Sequence, residues 1–243
     1  MNMVDDFDLH DLLDEGIEYE EVDPDHALAP IGDEAPSSLL LYPLDNTVLF
    51  PGMLIPLDVP ADGDARQVMD TVLDSTRTFG FIGIKAERVE PEHPLQAKHD
   101  ELFTIGTMAR IMKILRLPDK SLRLLIQTGR RFRIERFRRS DTLLLAKVSY
   151  PVELGPMDEH QTKEMKVLHQ RLLHEVQELI LIRPDIPDEA ADFVSNVDDP
   201  GPLADFFAAN FLSEKAERQR VLAALDLRTR VELALLYLTR ERE

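Results

Sequence analysis

Tyr42-Pro43-Leu44-Asp45-Asn46-Thr47-Val48-Leu49-Phe50-Pro51-Gly52-Met53-Leu54-Ile55-Pro56-Leu57 joins two apolar, strand-like runs through a turn whose residue types are tightly constrained. Leu39 to Leu44 is rich in strand formers and ends at Asp45-Asn46, whose short polar side chains favour turns by bonding to local backbone. The chain re-enters with Val48 to Phe50, so the stretch reads as an opening hairpin. Pro51 fixes its own φ and drives Phe50 towards extended geometry, while Gly52 can take conformations closed to other residues. A second strand, Met53 to Val59, follows. Pro56 removes a ladder donor from it, which places this strand at a sheet edge or beside a bulge.

Outward from this stretch, Ala65, Val68, Met69, Val72 and Leu73 recur at helical spacing and predict a helix over Asp62 to Thr76 that crosses between strands. Gly80 to Lys85 reads as a short strand and Glu87 to Asp100 as a loop. Leu102 to Leu115 reads as a long strand bent near Gly106. Leu117-Pro118-Asp119-Lys120 has the chemistry of a hairpin turn. Leu122, Leu124 and Ile126 then alternate with Arg123, Leu125 and Gln127, the period of a strand buried on one face. The alternation resumes at Phe132 and Ile134, and Thr142 to Tyr150 is a sixth strand. Six strands and one crossover helix, with mostly hairpin connections, predict a strongly bent antiparallel sheet or small barrel over residues 39–151.

Pro151 to Pro156 reads as a hinge, beyond which no strand pattern remains. Met165, Leu168, Leu172, Val176, Leu179 and Ile180 form one stripe of a helix from about Asp158 to Ile182, which at about 1.5 Å per residue spans roughly 35 to 40 Å. Shorter helices are expected after Pro187, from Leu203 to Leu212, from Glu214 to Leu225 with Ser213 as N-cap, and from Val231. The fold class is therefore α+β, with a β domain followed by a helical bundle over 157–243. The last helix carries no stop signal at Thr239-Arg240-Glu241-Arg242-Glu243, as if the chain ended inside an element.

The net charge of −18 is unevenly placed: thirteen acids and no Lys or Arg fall in residues 1–38, leaving −5 for everything after them. Like charge, low hydrophobicity and Pro24, Pro30 and Pro36 make this arm a poor folder, and it reads as largely disordered. Phe7, Leu9, Leu12 and Leu13 would form one apolar side of a short helix within it. No apolar run is long enough to cross a membrane, and the start lacks a secretory pattern, so a cytoplasmic location is expected. Cysteine is absent, which excludes disulfides, thiol catalysis and thiolate metal sites.

No residue pattern carries chemistry. There is no phosphate-binding loop and no dinucleotide fingerprint. The seven histidines never recur at a helical spacing useful for metal, and no serine sits in a nucleophile elbow. Catalytic, cofactor and metal residues are accordingly expected to be none. Arg130, Arg131, Arg133, Arg136, Arg138 and Arg139 put six guanidinium groups into ten residues beside Phe132 and Phe137. Alternation sends Phe132 and Ile134 inward and Arg131 and Arg133 outward, so the run reads first as the solvated face of a strand. The acidity of the chain argues against nucleic acid. Arg131, Arg133 and Arg136 remain as a candidate stripe for acidic ligands, against which the acidic arm would lie. Exposed apolar surface at Phe50, Pro51, Met53, Leu54 and Leu117 is the candidate contact for unfolded polypeptide, adaptable Met53 suiting varied partners.

The pattern P-L-x-x-x-V-x-F-P-x-M-x-x-P-L at Pro43 to Leu57 resembles the start of the N-terminal, substrate-recognition domain of the Lon ATP-dependent protease family. The resemblance continues at Gly106-Thr107-Met108-Ala109-Arg110-Ile111, Leu115 to Lys120, and Arg131-Phe132-Arg133-Ile134, in family order. Asp45 stands where Arg is common, and Gly129 is displaced by one place. The resemblance implies a PUA-like barrel for the β domain. It also implies a parent enzyme that is a cytoplasmic, commonly hexameric, ATP- and Mg-dependent serine protease acting on damaged and regulatory proteins. This chain would supply recognition of unfolded protein and contacts to neighbouring subunits. The alternative is a stand-alone protein with the same β domain and no protease attached.

Overall fold

The computed structural model describes residues 18–21, 35–85, 95, 97–140, 143–183 and 188–241. They fall into two compact units, one up to Tyr150 and one from Pro151. The apolar helical side expected at Phe7 to Leu13 lies outside the described residues.

The first unit holds β1 (Glu18–Glu21), β2 (Ser38–Leu44), β3 (Leu54–Val59), α1 (Asp64–Leu73), β4 (Thr78–Gly83), β5 (Ile105–Arg116), β6 (Leu122–Ser140) and β7 (Leu143–Ser149). The pairings β2–β4, β4–β5, β5–β6, β6–β7 and β7–β2 return on themselves, so five strands close a small barrel. All are antiparallel except β2–β4, which is parallel because α1 carries the chain across between β3 and β4. The opening stretch is therefore not a hairpin. β2 pairs with β4 and β7, whereas β3 pairs with β6 alone. The edge position that Pro56 demands is met by β3.

Two cores lie on opposite faces of β2 and β4. The first draws Leu41, Ile82, Met108, Phe132 and Ala146 from all five ring strands. The second packs Ala65, Val68, Met69 and Val72 of α1 over Phe79, Phe81, Ile111 and Ile126. Phe79 and Phe81 meet edge to face at 4.8 Å between ring centroids, with Tyr42 set edge-on to both. Inside the ring the Phe132 side chain lies over two glycines. A Cβ on Gly80 would come within 2.7 Å of the Phe132 ring, and one on Gly106 within 2.3 Å of the Phe81 carbonyl oxygen. The bend expected at Gly106 is instead a close approach, and β5 runs through it.

Three bulges bend the long strands. Between the pairs Thr107–Arg131 and Ala109–Thr128, one residue on β5 faces two on β6, so the extra residue sits at Gly129-Arg130. Further irregularities occur at Ile111/Lys113 and Ile134/Arg136. The turn at Leu117 to Lys120 forms as read, with the Asp119 carboxylate accepting from the Ser121 amide at 2.9 Å and hydroxyl at 2.6 Å. Lys120 adopts φ +69° without a glycine to signal it.

The second unit holds α2 (Glu159–Ile182), α3 (Asp188–Ser195), α4 (Pro200–Phe211), α5 (Lys215–Ala223) and α6 (Leu227–Glu241). Asp158 caps α2 by accepting from the Gln161 amide, and the stripe Met165, Leu172, Val176, Leu179 and Ile180 is buried as its spacing requires. Asp199 caps α4, so the helix begins at Pro200 rather than at Leu203, with Pro200-Gly201-Pro202 in its first turn. The N-cap of α5 is Glu214, not Ser213. α6 begins four residues before Val231, because Asp226 accepts from the Thr229 amide at 2.8 Å and hydroxyl at 2.6 Å. Those bonds hold the Asp226 carboxyl below its ordinary range.

One cation organises this bundle. Arg230 is 1% exposed; its Nε donates to the Ala224 carbonyl at 2.9 Å, and its Nη1 lies 2.8 Å from a Glu153 carboxylate oxygen and 3.8 Å from one of Asp205. Leu154 bonds to the backbone of Leu225 and Leu227. The segment read as a hinge is thus fastened to the helices at Glu153 and Leu154.

Candidate functional site

The proline-glycine turn is built from both directions. Pro51 and Gly52 reverse the chain, with Gly52 at φ +83°, a conformation L side chains rarely adopt. Two threonines on distant strands then hold the turn inward. The Thr107 hydroxyl donates to the Leu49 carbonyl at 2.6 Å, and the Thr128 hydroxyl donates to the Phe50 carbonyl at 2.6 Å. The Met53 amide donates back to the Thr128 hydroxyl at 2.8 Å. Backbone bonds from Gly52 to the Thr128 carbonyl and from Thr128 to the Met53 carbonyl complete a clamp. Its consequence is that Phe50 is 1% exposed and belongs to the interior. The expectation that Phe50 offers surface to a ligand is corrected. Pro51, Met53, Leu54 and Leu117 are half-buried, and Pro56 on the edge strand is exposed.

The arginine run also divides. Arg133 and Arg136 are exposed, as a solvated strand face requires, but Arg131 is 3% exposed. The bulge at Gly129-Arg130 breaks strict alternation just before it, so Arg131 and Phe132 are both buried. Arg131 therefore leaves the acidic-ligand stripe. Arg130 lies 5.3 Å from the Tyr150 ring centroid, and burial pushes the Tyr150 hydroxyl up to about 12 despite that nearby cation.

In the helical unit a groove of about 220 Å³ is lined by Leu154, Met157, Met165 and Leu168, with Glu164 and Arg228 at its polar side. Arg228 bridges Glu164 at 2.7 Å and Glu232 at 2.8 Å, so the charges are satisfied within the wall. Val152 and Met157 are 78% and 80% exposed, and Leu154, Val167, Leu181 and Ile182 are also exposed. Among the described residues no group of three His, Cys, Asp or Glu could hold a metal ion, and no helix is long and apolar enough to cross a membrane.

The ATP-dependent protease La (LON) substrate-binding domain aligns with residues 38–240, across both units. The chain belongs to this family. The Lon protease of Treponema pallidum is 32% identical over 217 residues, covering 89% of this chain and 24% of that protein. The Lon protease of Leptospira interrogans is 34% identical over 219 residues, covering 90% and 25%. The chain thus spans about a quarter of the length of the curated relatives it matches. The N-terminal domain of a Mycobacterium avium complex Lon protease shares the fold with a TM-score of 0.61 and 22% identity, covering 83% of this chain and 98% of that one. A Lon N-terminal domain protein from Xanthomonas campestris does so with a TM-score of 0.57 and 22% identity, covering 82% and 98%.

Reading the Lon-type motif alone pointed to the β unit and passed over the helical groove. Two signals for the groove were present in the chain. Val152, Leu154 and Met157 are apolar residues set among prolines, where a solvated linker has no need of them, and Val167 lies off the buried stripe of α2.

Proposed function

We infer that the chain is the substrate-recognition region of an ATP-dependent Lon-type serine protease, and that it binds unfolded segments of damaged and regulatory proteins. The observation that carries this reading is the family alignment over residues 38–240, joined to a sequence with no phosphate-binding loop. ATP, Mg, hydrolysis and the cytoplasmic, hexameric assembly belong on this reading to the parent. Two apolar surfaces support capture of unfolded polypeptide. One is the half-buried set Pro51, Met53 and Leu54, with Leu117 standing apart at the other end of the β3–β6 pairing; the other is the groove at Met157 and Met165. Methionine adapts to varied side chains, and an exposed apolar patch contacts any unfolded segment without reading its sequence. Each contact is weak alone and gains from repetition around a ring of subunits. Crosslinking an uncharged, photoreactive unfolded peptide to the purified chain tests the reading. Adducts are expected at Met53-Leu54 or between Val152 and Leu168. Labelling that excess unlabelled peptide does not compete away, or that spreads evenly over the surface, defeats it.

A further inference from the structure

β5 is longer than the strand beside it. On one edge it pairs with β6 along most of its length, from Ile105 to Arg116. On the other, β4 covers only Thr107 to Arg110, with one further bond from the Ile111 amide to the Arg77 carbonyl. The backbone from Lys113 to Arg116 extends past β4, and an edge left in this state is a template for another extended chain. In the structure it is occupied. β1, Glu18 to Glu21, adds to it antiparallel, with Glu18 opposite Arg116, Tyr19 opposite Leu115, Glu20 opposite Ile114 and Glu21 opposite Lys113.

This pairing was not visible in composition, which marked residues 1–38 as too acidic to fold, and it is not where the arginine stripe of β6 would have drawn the arm. Its register explains the difference. Acidic positions 18 and 21 fall opposite basic positions 116 and 113, an arrangement that favours cross-strand pairing. Ladder bonds supply affinity and the flanking charges supply selectivity, the mode by which an extended peptide joins a sheet edge. Four residues make a short strand, held by few bonds and open to exchange.

We propose that the β5 edge from Lys113 to Arg116 is a strand-addition site for extended acidic polypeptide segments, and that the chain's own Glu18–Glu21 is its resident, competing occupant. The proposal rests on the reading of the chain as a substrate-recognition module and gives one of its sites a client class. Clients with acidic extended segments enter by displacing β1; uncharged apolar segments use the surfaces described above and are indifferent to it.

The test uses the full chain and the double variant Tyr19→Pro/Glu20→Pro. Alternate residues of an antiparallel strand donate to a given partner, so two successive prolines remove a ladder donor whichever way β1 faces. The probe is a fluorescein-labelled peptide with the sequence of residues 16–23, measured by fluorescence anisotropy beside a version with every Glu replaced by Lys. An arm in place nine-tenths of the time lowers apparent affinity about tenfold, so the variant should bind the acidic peptide about tenfold more tightly than the unaltered chain. Lys113→Glu/Arg116→Glu, added to the variant, should abolish the gain. Amide exchange at Lys113 to Arg116 should be faster in the variant and slow again with peptide. Equal affinity in the variant and the unaltered chain, no binding to either, or equal binding of the Lys-containing peptide overturns the proposal. The uncharged photoreactive peptide separates the two failures: if it still labels the apolar surfaces, the recognition reading stands while the edge site falls.

Discussion

Replacing Thr128 by Val removes one hydroxyl from the clamp on the proline-glycine turn and leaves its shape almost unchanged. That hydroxyl donates to the Phe50 carbonyl at 2.6 Å and accepts from the Met53 amide at 2.8 Å. Thr128 is 2% exposed and Phe50 1%, so the Phe50 carbonyl has little access to replacement water. Met53 is half-buried, so its amide is partly rescued. A buried group stripped of its partner costs about 1–3 kcal/mol, which puts the combined loss at about 2–4 kcal/mol for the barrel unit. Thr128→Ser keeps the hydroxyl and loses one methyl, at about 1 kcal/mol. With a urea slope of about 2 kcal/mol per molar, the Val variant should lose about 1–2 M in unfolding midpoint and the Ser variant about half a molar. Far-ultraviolet circular dichroism and tyrosine fluorescence should be followed together, because Tyr19, Tyr42 and Tyr150 lie in the barrel unit and Tyr237 in the helical one. Amide exchange at Gly52 and Met53 should accelerate in the Val variant. A Val variant as stable as the unaltered chain, with Ser the more damaging change, would refute the clamp and return Phe50 to simple apolar packing.

Gly52→Ala meets nothing within 4 Å, so its whole effect is the strain of φ +83°, about 1–2 kcal/mol by the same unfolding assay. A neutral result would show that the turn relaxes out of the left-handed region. Arg230→Ala removes a buried cation 2.8 Å from Glu153 and 3.8 Å from Asp205, with its bond to the Ala224 carbonyl, and should destabilise the helical unit by about 3–5 kcal/mol, seen as early loss of helical dichroism. Arg230→Met keeps much of the packing volume but no charge, so it should recover only part of the loss; full recovery by Met would count against the electrostatic part of the argument. Tyr150 is pushed up to about 12 by burial, so its neutral form is favoured in the folded state. That contribution is complete below the ordinary tyrosine range near about pH 10 and disappears as pH rises from there through about 12. Burial also raises Tyr42, so phenolate absorbance should show both tyrosines titrating late, and Tyr150→Phe should remove one of the two; an unchanged late amplitude in the Phe variant would assign the shift elsewhere.

Much of the architecture was legible because it is written over short distances. Proline in β3 demanded an edge and found one; the turn at Leu117 to Lys120 closed as its residues require; the stripe on α2 is the buried face. The failures share a cause. The helix expected from Leu203 starts at Pro200 because the Asp199 carboxylate is within reach of the Gly201 amide, and Ser213 yields the cap position to Glu214, which makes no side-chain capping bond. The methionine groove went unread because its walls come from the segment after Pro151, from α2 and from the start of α6, and each looks ordinary alone.

The proline-glycine turn separates the two kinds of information. Residue types within it determined that the chain reverses at Pro51-Gly52 and that Gly52 carries the unusual conformation. Those conclusions need only neighbours in sequence, since φ restriction and turn chemistry act over a few bonds. Tertiary structure alone decided that β2 pairs parallel with β4 rather than with its successor, and that Phe50 points inward. It alone decided that the bulge after Thr128 takes Arg131 out of solvent and that an acidic strand adds to β5. The threonines that hold Leu49 and Phe50 lie 58 and 78 residues further along the chain. Which backbone groups they meet is settled only when the barrel closes, because a hydrogen bond acts over ångströms in space, whatever the distance in sequence.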